Sequence, residues 1–238
     1  HMLDVVEPNQ PYSVADFQRG AYAAIAGILE RGKLPLLVGG TGLYVRAVTQ
    51  GFAFTHAAPD PALRSRLEGM GAQELYALWL EKTGQPLNQS EQHNRQRLVR
   101  AVEKAWQGGW QPAPSAPRYR CLLLGMDYPR PQLYRRIEQR LTDRIDQGMI
   151  EEVEGLRRQG ASDAFLEGLG LEYRYVLWYL TGKIPDRVAL KDELGRAIKR
   201  FAKRQQSWFA RDEGVVWLDT GGDPLAQAVR AAEAFLEE

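Results

Sequence analysis

The sequence has little of several features that would assign a protein to a class. Cys121 is its only cysteine, so a disulfide framework within the chain and a cysteine-type zinc site are both excluded. It has no apolar run of about 18 residues and no signal-peptide pattern at its start, which predicts a soluble, cytoplasmic protein without a membrane partner. Its 31 lysines and arginines nearly balance 30 aspartates and glutamates. Net charge therefore indicates no partner, and only local clusters of charge can.

Three short apolar runs predict buried strands. Each run is continuous rather than alternating, which favours a parallel sheet covered on both faces. Helical patterns separate them, and the first begins at Ser13 with Asp16 placed for a capping box. The runs lie at residues 34–38, 119–128 and 214–219, and two longer helical patterns lie at about 131–158 and 188–211. Alternating helices and strands predict an α/β domain.

The middle of the chain differs from both ends. Residues 55–117 contain helical patterns and no candidate strand, and they close with the Gly/Pro-rich segment GGWQPAPSAP. The helical patterns cover about 61–70, 72–83 and 94–107. The sequence therefore predicts an α/β core from residues 1–54 and 118–238, with an all-helical insertion domain at 55–117.

The segment VGGTGLY ends the first predicted strand in two glycines and a hydroxyl. Ligands of open α/β sheets bind beyond the carboxyl ends of strands, and glycine lets a ligand approach the backbone. The helix that follows would attract phosphate at its N terminus, where Thr41 places a hydroxyl. A plain strand-to-helix turn with Thr41 as the N-cap fits the same residues, so both interpretations stay open.

A second glycine segment, GILERGKL at residues 27–34, matches most of the phosphate-binding loop G-x-x-x-x-G-K-[ST]. Leu34 replaces the Ser or Thr that would hold Mg²⁺. The order helix, turn, strand is also the reverse of that of a phosphate-binding loop. Gly32 is better interpreted as the glycine that ends a helix.

Two segments carry clustered positive charge. In residues 196–214, helical spacing predicts a basic stripe, with Ile198, Phe201, Ala202 and Trp208 facing the core. The stripe consists of Arg196, Lys199, Arg200, Lys203 and Arg204. In NRQRLVRAVE, residues 94–103, Arg97 and Arg100 share a helix face. An anionic partner, either pyrophosphate or a nucleic-acid backbone, would explain both clusters, and so would solvated helix faces with Glu103 pairing locally.

Together these segments resemble the tRNA dimethylallyltransferases, also called tRNA isopentenyltransferases. The most specific pair is GGTGLY with AKRQxxWF far downstream. The matching strings follow the family order over nearly the whole chain: PYSVADF, LPLLVGGTGLY, DPALRSRL, NRQRLVRAVE, RRIEQRLTDRIDQGMIEEVEGL and RFAKRQQSWFARDEGVVWLD. The resemblance implies a P-loop-NTPase-like parallel-sheet core with an all-helical insertion domain.

The resemblance also implies an activity, which is transfer of the dimethylallyl group of dimethylallyl diphosphate to N6 of adenine 37 in tRNA. The adenine would be flipped out of the anticodon loop, as chemistry on a stacked base requires. The implied cofactor is Mg²⁺, the implied macromolecular partner is the anticodon stem-loop of tRNA, and the implied state is a monomer.

Site residues carry over by the same resemblance. Thr41 matches the family's threonine beside the reacting adenine, and Arg64 matches an arginine that contacts tRNA. Because the leaving diphosphate needs cations to neutralise its charge, Lys203 and Arg204 are candidates for binding the diphosphate or the tRNA backbone. The tRNA-contacting stretch of the insertion matches Gln96, Arg97, Leu98, Val99 and Arg100.

The sequence departs from the family pattern in two places. The family's phosphate-binding loop, and the following aspartate taken as general base, have no match here, so either they lie outside this sequence or activity is lost. LGLEYRY at residues 169–175 stands where the family usually has IGYKE. Two other classes stay open, a small-molecule kinase on a P-loop fold and a non-catalytic RNA-binding module.

Overall fold

The structure is a computed structural model that describes residues 1–54, 60–87, 92, 94–108 and 116–237. It divides into two compact units. Unit 1 comprises His1–Thr49 and Tyr119–Glu238, and unit 2 comprises Gln50–Arg118. The sequence placed these boundaries at 54/55 and 117/118. Most of the Gly/Pro-rich linker, residues 109–115, lies outside the described residues.

The described residues form helices and two strands. In chain order they are α1 (Val14–Glu30), α2 (Gly42–Thr49), α3 (Pro61–Glu68), α4 (Ala72–Thr83), α5 (Arg95–Trp106), β1 (Leu123–Asp127), α6 (Arg130–Asp146), α7 (Met149–Arg158), α8 (Asp163–Leu169), α9 (Leu171–Leu180), α10 (Arg187–Phe209), β2 (Val215–Asp219) and α11 (Pro224–Glu237). Unit 2 holds α3 to α5, and unit 1 holds the rest.

The two strands pair in parallel, as their continuous apolar runs predicted. Leu123 lies opposite Val215, and Asp127 lies opposite Asp219. Parallel strands need a crossover connection, which α6 to α10 provide. The expectation that both faces are covered was wrong, because Leu124 of β1 and Val216 of β2 are exposed. Unit 1 is therefore an α/β fold with a small, partly open sheet.

The first predicted strand, residues 34–38, is not a strand in the structure. Leu36 is 79% exposed and Val38 is 92% exposed. A strand forms only where a neighbouring strand pairs with its backbone, and β1 and β2 are the two strands among the described residues. The apolar run therefore predicted a paired strand and burial that the structure does not show.

Helix ends follow local chemistry. At the start of α1, Ser13 Oγ accepts from the Asp16 backbone N at 3.3 Å, and Asp16 Oδ2 accepts from the Ser13 backbone N at 2.8 Å. This confirms the predicted capping box. The single helix predicted over 131–158 was wrong, because Gly148 with φ +98° separates α6 from α7. The left-handed region that ends a helix there favours glycine.

Each unit has its own apolar core. The larger core of unit 1 lies among α6 to α10 and includes Leu141, Val153, Leu166 and Leu194. A smaller cluster joins α1 to α2 through Ala21, Tyr22 and Val48. In unit 2, α3 to α5 bury Leu67, Leu75, Trp79, Leu98 and Val102. Of the segments predicted to be functional, the Gly39–Gly42 turn and α10 belong to unit 1, and α5 belongs to unit 2.

Candidate functional site

Thr41 begins helix α2 through its backbone. Its carbonyl oxygen accepts hydrogen bonds from the backbone N atoms of Tyr44 at 2.9 Å and Val45 at 3.1 Å. The side chain is exposed, and its hydroxyl makes no hydrogen bond to any residue that the structure describes. Thr41 therefore accepts the first hydrogen bonds of α2 through its backbone carbonyl oxygen and not through its side chain. The hydroxyl stays available to a ligand at the helix N terminus.

The turn that presents Thr41 is held by helix α10. Gln205 Nε2 donates to the Gly40 carbonyl oxygen at 2.8 Å. A side chain at Gly40 would overlap Gln205, and one at Gly42 would overlap the Trp208 ring. A Cβ at Gly39 would meet no described atom within 4 Å. Two of the glycines thus permit close approach of α10, and Gly39 borders open space.

Arg46 completes the contact between α2 and α10. Its guanidinium lies 5.3 Å from the Trp208 ring centroid and 3.5 Å from Asp212 Oδ2. Its Nε is buried without a hydrogen-bond partner among the residues that the structure describes. The cation over the ring and the ion pair both keep Trp208 against the turn. Sequence reasoning missed this arrangement, and the Trp of the AKRQxxWF string was the available signal.

Some cations of the basic stripe on α10 are paired with carboxylates, and others are exposed. Arg196 pairs with Asp192 at 2.8 Å, and Lys199 pairs with Glu138. Lys203 is exposed, and Arg204 is exposed with its Cζ 5.6 Å from the Phe201 ring centroid. The Gly39–Gly42 turn contacts other residues of α10.

Two residues expected in the core of α10 are not there. Phe201 and Trp208 are each 37% exposed, whereas Ile198 is buried as predicted. Their rings make contacts at the surface, that of Phe201 with Arg204 and that of Trp208 with the Gly42 turn. Aromatic spacing on a helix therefore did not separate core residues from residues that pack on a neighbouring turn.

Unit 2 contains a cationic cavity of about 590 Å³. Its wall is formed by α3 and the first turns of α5, and it holds three arginines against one glutamate. The lining residues are Arg64, Glu68, Arg95, Gln96, Val99 and Arg100. Arg95 also donates to the Met70 carbonyl oxygen at 3.2 Å, just after the end of α3. Four residues predicted to contact tRNA are thus brought together: Arg64, Gln96, Val99 and Arg100.

Glu103 organises two of these arginines. Its side chain is completely buried, and its Oε2 accepts from Arg64 Nη2 at 2.7 Å and from Arg100 Nη1 at 2.6 Å. Its Oε1 accepts from the Asp60 backbone N at 3.0 Å. Burial would raise the pKa of this carboxyl, but the hydrogen bonds from Arg100, Arg64 and Asp60 outweigh burial and leave the pKa below its usual value.

Two other predicted contact residues lie elsewhere on α5. Leu98 is fully buried in the core of unit 2, so the structure corrects its predicted role from tRNA contact to support of the helix. Arg97 is exposed and does not line the cavity. The stretch 96–100 therefore presents side chains to the cavity, to solvent and to the core of unit 2, as helical geometry requires.

Neither a metal cluster nor a membrane span is found in the described part of the chain. No group of three or more His, Cys, Asp or Glu side chains there is placed to hold a metal ion. None of the helices there is both long and apolar enough to cross a bilayer.

The sequence matches known proteins over nearly its full length. The family model described as IPP transferase matches residues 1–212. The tRNA dimethylallyltransferase 2 of Shewanella sediminis is 40% identical over 234 residues, covering 96% of this chain and 77% of the relative. The tRNA dimethylallyltransferase 1 of Geotalea daltonii is 40% identical over 233 residues, covering 96% and 76%.

Solved structures show the same fold. The full-length tRNA isopentenylpyrophosphate transferase of Bacillus halodurans has a TM-score of 0.68 at 31% identity, covering 100% of this chain and 77% of that chain. A eukaryotic dimethylallyltransferase acting on tRNA has a TM-score of 0.76 at 19% identity, covering 96% and 63%. This second likeness concerns the fold alone. The helix-rich, P-loop-like fold with a small parallel sheet is common to them.

Proposed function

Because the chain belongs to the IPP transferase family of tRNA dimethylallyltransferases, we propose that it transfers a dimethylallyl group from dimethylallyl diphosphate to N6 of adenine 37 in tRNA. The family makes it a prenyltransferase that acts on tRNA. Beyond the family's activity, we propose the identity of the donor, the target base and the roles of individual residues. The supporting observation is the exposed Thr41 hydroxyl, which has no hydrogen-bond partner among the described residues at the N terminus of α2.

In the proposed reaction, the N6 amine of the adenine attacks C1 of the allylic diphosphate. A nitrogen–carbon bond forms, the carbon–oxygen bond to diphosphate breaks, and the amine proton passes to a general base. Thr41 accepts a hydrogen bond from the amine and fixes its direction of attack. Positioning of this kind is a large part of what an enzyme contributes to a two-substrate transfer. The contacts of Gln205 and Trp208 keep the turn in place.

The cavity of unit 2 fits the second requirement, which is to hold tRNA. Arginines and a glutamine are suited to phosphate oxygens and base edges. Arg64, Gln96, Val99 and Arg100 line the cavity, and the proposal assigns them to the anticodon stem-loop. Arg97, exposed beside the cavity-lining Gln96 in sequence, is assigned to the RNA backbone.

Exposed cations supply charge for the anionic substrates. Lys203 and Arg204 lie exposed on α10, and the proposal assigns them to the diphosphate or to the tRNA backbone. We include Mg²⁺ because it usually binds through substrate phosphates together with one or two carboxylates. The described residues do not build a carboxylate cluster for the ion, so none of the steps above passes through it. The proposal further includes a monomeric, cytoplasmic enzyme.

The test is direct modification of tRNA. The purified protein is incubated with dimethylallyl diphosphate, Mg²⁺ and an anticodon stem-loop that carries adenines at 36 and 37. The nucleosides are then identified by mass spectrometry. We expect N6-dimethylallyl adenosine at position 37, and none when guanine replaces that adenine. Binding of the stem-loop without modification would favour the RNA-binding alternative, and phosphate transfer from ATP would favour a kinase.

A further inference from the structure

Glu103 is the most buried charged side chain described in unit 2, and its position is unusual for a glutamate. Its exposed fraction is 0%, whereas both of its arginine partners keep about a third of their side chains exposed, 35% for Arg64 and 32% for Arg100. A carboxylate is rarely buried this completely unless it is paired. Here one buried anion is paired with two cations that reach the surface.

The geometry points to a common anchor for the two arginines. Both guanidinium groups bind the same oxygen, Oε2, and both side chains line the cationic cavity. The Arg64 guanidinium has five N–H donors, and its bond to Glu103 uses only one of them. Without the carboxylate, the two cations would repel each other and would sample many rotamers, which adds to the entropy lost on binding.

We propose that Glu103 is a positioning residue for tRNA binding, whose buried carboxylate holds Arg64 and Arg100 in the geometry that receives a phosphodiester of the RNA. This inference rests on the proposed function, because it takes tRNA as the ligand of the cavity. Glu103 itself does not touch the RNA. It acts through the two guanidinium groups.

For Glu103→Gln, the positioning role and a simple effect of net charge predict opposite changes in affinity for RNA. Removing a negative charge near RNA should tighten binding if only net charge matters. Glu68 also lines the cavity, is exposed, and makes no ion pair with the described residues. Glu68→Gln and Glu103→Gln therefore change the net charge equally, and only Glu103→Gln removes the anchor of the arginines.

The experiment measures the affinity of the chain for an anticodon stem-loop at several salt concentrations. We expect Glu68→Gln to bind more tightly than the wild type and Glu103→Gln to bind about tenfold more weakly, since charged pairs at an interface are often worth that much. The slope of log K against log salt should also become shallower for Glu103→Gln, by about 0.7 for each RNA phosphate that the arginines no longer neutralise. A weakening of less than about threefold would overturn the proposal.

Two further variants control for misfolding and for a route that bypasses the arginines. Glu103→Gln keeps an oxygen that can accept from the Asp60 backbone N, so the link between α3 and α5 can persist. If this variant does not fold, Glu103→Asp retains the charge but is too short to reach both arginines, and it should also weaken binding. In an Arg64→Ala, Arg100→Ala background, Glu103→Gln should cause no further weakening of binding.

Different results would refute the proposed function and the positioning role of Glu103. A wild-type protein that neither binds nor modifies tRNA would refute the proposed function, and the positioning role with it. A wild-type protein that binds tRNA, while Glu103→Gln and Glu68→Gln bind equally well or better, would refute the positioning role alone. An additional weakening in the double-arginine background would also refute it, because Glu103 would then act by another route.

Discussion

Replacing Thr41 by alanine tests whether its hydroxyl stabilises the fold or acts in the reaction. If the hydroxyl capped α2, its removal would cost about 1 kcal/mol of stability. The structure has no such bond among the described residues, since the first backbone bonds of α2 go to the Thr41 carbonyl. We therefore expect Thr41→Ala to change the free energy of unfolding by less than about 0.5 kcal/mol, as is usual for an exposed side chain.

The effect on the reaction should be much larger. A reacting group misplaced by about 1 Å can lose about a hundredfold in rate, which corresponds to about 2.7 kcal/mol at the transition state. The assay is the single-turnover rate of dimethylallyl transfer at saturating stem-loop and diphosphate, which separates chemistry from binding. Thr41→Ser retains the hydroxyl and should stay within a few fold of the wild-type rate.

Thr49 provides the matched control on the same helix. Its Oγ1 donates to the Val45 carbonyl oxygen at 3.1 Å, so its hydroxyl is already satisfied by the protein. Thr49→Ala should leave the transfer rate unchanged. A Thr41→Ala enzyme within about twofold of wild type would show that the turn positions no substrate through this hydroxyl.

Three other perturbations test the surrounding geometry. Gly42→Ala should cost about 1–3 kcal/mol of stability, measured by urea unfolding, because its Cβ would overlap Trp208, whereas Gly39→Ala should be nearly silent. The lowered pKa of Glu103 means that its stabilisation is complete above the unfolded-state pKa and is lost as pH falls below about 4.3. Unfolding of Glu103→Gln at a series of pH values should lack that component. Arg97→Ala should weaken stem-loop binding with an unchanged Tm, and an unchanged affinity would remove Arg97 from the interface.

Elements whose signals are local could be predicted from the sequence. The capping box of α1 and helices α3 to α5 follow from side-chain identity and 3.6-residue periodicity. The paired strands β1 and β2 follow from continuous apolar runs. The run at 34–38 carried the same signal and formed no strand, because pairing depends on a neighbour that periodicity cannot reveal.

The candidate site could be predicted only in part. A family string identified Thr41, but the contacts of Gln205 and Trp208 with its turn depend on the approach of α10, for which the AKRQxxWF string was the only signal. The sequence offered a weak signal that Glu103 is buried, since it lies four residues after Val99, on the apolar side of α5. Its role required the structure, because two arginines from different helices meet at one oxygen. The functional roles of these residues stay predictions.

The insertion of unit 2 into unit 1 sets an order in which the chain can fold during synthesis. Unit 2 is continuous, Gln50–Arg118, and its core is complete once α5 has been made. Helices α1 and α2 emerge earlier, but Tyr119 of their cluster and the α10 residues that hold their turn are made later. At a synthesis rate of about 5–20 residues per second, the roughly 100 residues from Tyr119 to the end of β2 take about 5–20 s. During that interval the glycine turn lacks its contacts with Gln205 and Trp208, whereas the apolar run before it is exposed on the nascent chain and in the finished fold alike.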